Sequence, residues 1–106
     1  MDNQDHKIFM EAKIFSYDAQ FLTNHRAETH ALIVLKGAKG ELATFYFQPE
    51  GFPPVPPERI GSVYKGYFPI SAFEACMRIL QDQGTKYFEV TDNDPLNLRI
   101  IVQRNL

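Results

Sequence analysis

Tryptophan is absent from this 106-residue chain, cysteine occurs once, and positive charge does not exceed negative. A lone cysteine, Cys76, cannot form an internal disulfide, which fits a reducing compartment. No apolar run is longer than a handful of residues. The strongest, Ala31 to Leu35, falls far short of the roughly 20 positions a membrane helix needs, so no membrane association is expected. The opening MDNQDHK has neither the basic start nor the apolar stretch of a secretory signal, and a cytoplasmic location follows as the expectation. With 11 basic and 13 acidic residues there is no stripe of cations to neutralise phosphates, and nucleic acid is not an expected partner.

Motifs with a demanding chemistry are missing too. The glycines form neither GxGxxG nor a loop ending in GK[ST], and GxSxG and HExxH do not occur. His25, Glu28 and His30 come nearest to a metal cluster, but their spacing fits no zinc pattern, and they read as polar residues at a strand entrance. Cys76 lies in the apolar stripe of a predicted helix, where a free cysteine packs as a small hydrophobe. Asp92, Asn93 and Asp94 lack the glycine and distal glutamate of a calcium loop and read as a turn. No catalytic residue, metal or cofactor is therefore expected, and the sequence leans towards a non-catalytic role.

Aromatic residues are plentiful instead: nine Phe and five Tyr in a chain that is 44% hydrophobic. Residues 1–106 form a single domain on length, able to bury roughly 65% of the surface that the unfolded chain exposes. Lys7 to Tyr17 alternates as one strand, with Ile8, Met10, Ala12 and Ile14 on one face. The residues from Asp18 to Glu28 show no period and read as a loop. Around Gly37-Ala38-Lys39-Gly40 two β-rich runs predict a hairpin. A three-residue loop with Gly40 in the left-handed region pairs Ile33 with Phe45 and Leu35 with Ala43. Ala31, Ile33, Leu35, Ala43, Phe45 and Phe47 then share the core face, and His30, Leu32, Val34, Thr44, Tyr46 and Gln48 the other.

A helix over about residues 71–83 is predicted from the Ser71-x-x-Glu74 capping box, Pro69 before it and Gly84 after it. Phe73, Cys76, Met77 and Leu80 form its buried stripe, and Glu74 and Arg78 can pair outside it. The chain's end predicts a second hairpin turning at DNDP, with Val90 opposite Leu98, Phe88 opposite Ile100 and Glu89 opposite Arg99. The expected architecture is α+β: a mostly antiparallel sheet of about five strands with one main helix on one face, in the order β-β-β-(proline-rich loop)-α-β-β.

Such a sheet is roughly 24 Å wide and one helix covers only about 10 to 12 Å of it. The uncovered remainder requires aromatic segments beside the prolines, a strongly curled sheet or a second copy of the chain. The proline-rich crossing, residues 48–62, holds five of the seven prolines. It also contains Pro54-x-x-Pro57-x-Arg59, the spacing of a polyproline ligand for SH3-type domains, although stiff structural chain explains it as well. Three functional expectations follow. The leading one is an interaction or regulatory domain, self-associating through an exposed sheet face and the aromatic loop, with a further protein partner possible. The second is a small-ligand binder or cofactor-independent enzyme, with a pocket between sheet and proline-rich loop lined by Tyr46, Phe52, Tyr64 and Tyr67 and with His30 as its polar group; Phe68 belongs to the same aromatic surface. The third is the proline peptide itself as the ligand.

Overall fold

The computed structural model describes residues 8–22, 29–93 and 96–103. His25 and Glu28 lie outside the described residues, as do Asp94 and Pro95 of the second turn. Eight strands are seen: β1 Ile8–Lys13, β2 Ser16–Phe21, β3 Ala31–Gly37, β4 Gly40–Gln48, β5 Glu58–Ile60, β6 Val63–Pro69, β7 Thr85–Asn93 and β8 Leu96–Gln103. They form two sheets, of order β1-β7-β8 and β2-β3-β4-β6-β5. A 3-10 turn, Ile70–Ala72, leads into the short helix α1, Phe73–Leu80.

The expected single sheet under one main helix is thereby corrected to a β-rich fold of two facing sheets. The correction begins at Ile14. The amide of Ile14 donates to Lys86 O (2.8 Å), continuing the β1–β7 ladder. The next amide, Phe15, donates to Lys36 O (2.8 Å) and starts the β2–β3 ladder. One extended run thus serves both sheets and turns the corner between them. Its alternation continues unbroken through Ile14, so periodicity alone reads it as one strand. The stretch read as loop from Asp18 supplies four of the six residues of β2, with Tyr17 opposite Leu35 and Ala19 opposite Ile33.

Both predicted hairpins form. Ile33 pairs with Phe45 and Leu35 with Ala43, and Gly40 takes a φ of 126° that disfavours any side chain. The loop is the two residues Ala38 and Lys39, with Gly37 opposite Gly40, and the register is restored by one extra residue, Leu42, on β4. In the second hairpin Val90 meets Leu98, Phe88 meets Ile100 and Glu89 meets Arg99.

The proline-rich crossing is shorter than predicted. Residues 49–57 carry the chain away from the end of β4, and 58–60 already form β5 at the sheet edge. After a turn at Gly61 and Ser62 the chain returns as β6, which fills the slot between β5 and β4 and runs parallel to β4. The crossing also caps the helical segment. Glu50 Oε2 accepts the Ser71 amide (3.0 Å), and the Ser71 hydroxyl, followed by that amide, holds the Glu50 carboxyl below its usual range. The Ser71–Glu74 box is not made, and α1 spans Phe73–Leu80 rather than 71–83. Beyond its C-terminal end, Lys86 Nζ donates to the carbonyls of Asp82 and Gly84 in the turn that leads to β7. No helix among the described residues is long and apolar enough to cross a membrane.

Between the sheets lie Ala31, Ile33, Leu35, Ala43, Phe45, Phe47 and Tyr64 from the larger one and Phe88 and Val90 from the smaller, with Leu80 of α1 closing one end. The area that one helix could not cover is covered mainly by the second hairpin and β1.

On the outward face of the smaller sheet, Glu11, Glu89 and Arg99 stand side by side across three strands. Arg99 Nη2 lies 2.8 Å from Glu89 Oε1 and holds that carboxyl below its usual range, whereas the facing Glu89 raises Glu11. The two shifts act oppositely on stability. The Glu89 contribution is present above its unfolded pKa and is lost as pH falls through its depressed folded value. The Glu11 contribution is present below its unfolded pKa and is lost as pH rises through its elevated folded value. Glu11→Gln removes the like charge and offers Glu89 an amide donor, so its melting temperature is expected to exceed that of the wild type near neutral pH. The gain should vanish on acidification below the carboxylate range. Thermal melts at the two extremes check this, and equal melting temperatures at neutral pH would show that the two carboxylates do not feel each other.

Candidate functional site

Strand parity divides the aromatic residues singled out from the sequence. Tyr46 and Tyr67, paired across β4 and β6, stack on the outer face of the five-stranded sheet at 5.3 Å between ring centres and 16° between planes. Lys65 Nζ lies 5.7 Å from the Tyr46 ring centre, and Tyr67 donates its hydroxyl to Glu58 Oε2 (2.8 Å). Burial, followed by that glutamate, pushes the Tyr67 hydroxyl up to about 12. Tyr64 and Phe68, on the same strand with opposite parity, face the space between the sheets, where Tyr64 meets Phe88 and Phe68 meets Phe45. Phe52 is half-buried in the proline crossing, with its amide donating to Pro49 O (3.1 Å). His30 is half-buried just before β3, with its amide bonded to Phe47 O (2.7 Å). The six residues therefore do not line one space.

The proline motif is divided as well. Pro54 is exposed and Pro57 half-buried, while Arg59 belongs to β5. Its Nε donates to Gly61 O (2.9 Å), and its guanidinium lies 5.6 Å from the Tyr64 ring centre, on the inner side of the sheet.

A different feature brings chemistry-bearing side chains together. The two sheets share a corner at Ile14, but on the opposite side β8 is the edge of its sheet and faces β6, leaving a cleft. One hollow in it, of about 210 Å³, is walled by Phe45, Phe47 and Phe68 of the large sheet, Ala72, Cys76 and Ile79 of the helical segment, and Leu98 and Ile100 of β8. Among the described residues its one ionisable wall residue is Cys76, whose thiol is pushed up to about 11 by burial and so stays protonated at neutral pH. A second hollow, of about 360 Å³, is lined by Phe9, Met10, Arg59, Tyr64, Val90 and Leu96. Phe9 reaches it because it is the extra residue where the β1–β7 register shifts between Ile8 and Met10, and a bulge of this kind re-aims a side chain. Between the hollows Leu98 lies over Gly66. A Cβ on Gly66 would sit 3.1 Å from Leu98 Cδ1.

Most of the residues walling the apolar hollow were read from the sequence as core. A wall of a cleft and a packed core give the same hydrophobic pattern, and no local signal in the sequence separates them. Among the described residues no group of three or more His, Cys, Asp or Glu side chains could hold a metal ion. Compared with known proteins, the chain matches no family model, and no curated protein and no solved structure is significantly similar to it.

Proposed function

We propose that this chain is a binding protein for small apolar molecules, held in the hollow between α1 and β8. The observation that carries this reading is the hollow itself. Open to solvent on one side, it offers about 210 Å³, comparable with the roughly 150 Å³ of a closed cavity that holds a benzene-sized guest, and every wall residue among the described ones except the protonated Cys76 is apolar or aromatic. The reading needs no reaction: a thiol without a thiolate is a poor nucleophile, and among the described residues no base lines the same hollow. A reducing, cytoplasmic setting suits the single unpaired thiol. The inner face of the large sheet, for which a second copy of the chain was one candidate cover, packs against the three-stranded sheet.

Cys76 supplies the test. Its thiol, pushed up to about 11, should react with iodoacetamide near pH 8 about tenfold more slowly than an unshifted thiol, because the smaller thiolate fraction is partly offset by a more nucleophilic thiolate, and about tenfold faster for each pH unit of alkali. Benzene or hexanol should slow it further in a saturable way, and Ala72→Phe, which fills the hollow, should abolish that protection. A labelling rate indifferent to either molecule at saturation would sink the reading.

A further inference from the structure

We propose that the ligand is a free medium-chain carboxylate, with its chain in the apolar hollow and its head group on Arg59 in the neighbouring one; this rests on the reading just given. The geometry comes from two strands flanking one opening. On β6, Tyr64, Gly66 and Phe68 face inward, and on β8, Leu96, Leu98 and Ile100 do so. Tyr64 and Leu96 line the larger hollow, Phe68 and Ile100 the smaller, and Gly66 and Leu98 meet between them. Four residues of extended chain span about 13 Å on each strand, so the two hollows lie end to end along one slot. Leu98 at the waist is half-buried, a side chain able to turn aside for a threaded chain.

The ends of the slot differ in charge. Among the described residues the lining at the helix end carries no charged side chain, and the other end has one cation, Arg59. Nε of Arg59 is committed to Gly61 O, and its two outer nitrogens have no acidic partner among the described residues. Glu58, the neighbouring carboxylate, accepts from Tyr67, which stacks on the outer face of the sheet. A guanidinium whose fork has no acidic partner among the described residues, stacked on an aromatic ring above an apolar slot, matches a carboxylate bidentately. A single arginine suits a monoanion, and an opening this long suits an extended chain rather than a compact aromatic acid.

Titration of the whole chain with decanoate, decanol and acetate, followed by calorimetry, tests the assignment. Decanoate is expected to bind about tenfold or more tightly than decanol, and acetate not measurably. Arg59→Gln should bring decanoate down to the affinity of decanol, and Arg59→Lys, which keeps charge without the fork, should fall between. Equal affinities for decanoate and decanol in the wild type, or decanoate binding untouched by Arg59→Gln, would overturn the carboxylate while leaving an apolar-ligand site standing. Absence of binding by both chains would overturn both readings. Retention on anionic phospholipid vesicles with no response to monomeric decanoate would place the head group in a membrane surface and overturn the free acid.

Discussion

Phe88→Ala is expected to cost about 3–5 kcal/mol of unfolding free energy, the range for removing a fully enclosed phenylalanine. Phe88 is 0% exposed at the centre of the three-stranded sheet, between Ala12 on β1 and Ile100 on β8. Its ring lies 6.2 Å from that of Phe45 and 5.9 Å from that of Tyr64, so it is the side chain through which the small sheet grips the large one. Truncation removes the transfer free energy of the ring and leaves a cavity between two β layers that cannot collapse without shifting a whole strand. Domains of this kind are stable by about 5–15 kcal/mol, so the loss takes a large share and the variant is expected to be partly unfolded at ambient temperature. Phe88→Leu keeps most of the volume and should cost less, giving a measurable folded baseline. Urea denaturation of both variants reads the difference, and a loss below about 1 kcal/mol for Phe88→Ala would mean that the sheets do not rest on each other at this point.

How much of this was legible beforehand depends on the range of each interaction. The pairs Ile33 with Phe45 and Phe88 with Ile100 follow from turns of two or three residues, because a short turn fixes register and register fixes which side chains share a face. The corner at Ile14 was not legible. Its two neighbouring amides bond to Lys86 and Lys36, residues far apart in the chain, and nothing in the local alternation of Ile8 to Ile14 records that change of partner. The same holds for the helix start: the Ser71-x-x-Glu74 box satisfies a local rule, yet the Ser71 amide is taken by Glu50 from across the fold. For the candidate site the sequence drew attention to aromatic residues of one segment. Strand parity then sent Tyr64 and Phe68 inward and Tyr67 outward. Arg59, noticed only as the flank of a proline motif, reached the cleft because β5 turns it towards Tyr64.

Gly66→Ala tests fold and cleft at once, and is expected to destabilise by about 1–3 kcal/mol despite giving a β-strand a better strand former. Gly66 is buried on β6 opposite Phe45, and the added Cβ would lie 2.9 Å from Phe68 Cε2 and 3.1 Å from both Phe68 Cζ and Leu98 Cδ1. An isolated ring would turn away cheaply. This one is held between Phe45, 4.9 Å from it, and Phe47, 5.6 Å from it, so relief requires either a shift of the aromatic stack or a lift of β8. The ordinary entropic benefit of replacing glycine, about 0.4–1 kcal/mol, is too small to reverse the sign. Gly37→Ala is the matched control, because the nearest atoms its Cβ would meet are Cγ, Cδ1 and Cδ2 of the single Leu42 side chain, each at 3.1 Å and none of them held in an aromatic stack, and it should cost less. Both neighbours displaced at Gly66 also wall the apolar hollow. The substitution is therefore expected to weaken binding of a guest there by more than Gly37→Ala does. Chemical denaturation and ligand titration on the same two variants separate the effects: a stable Gly66→Ala protein with unchanged affinity would show that β6 and β8 are not held as closely as the Leu98 contact requires.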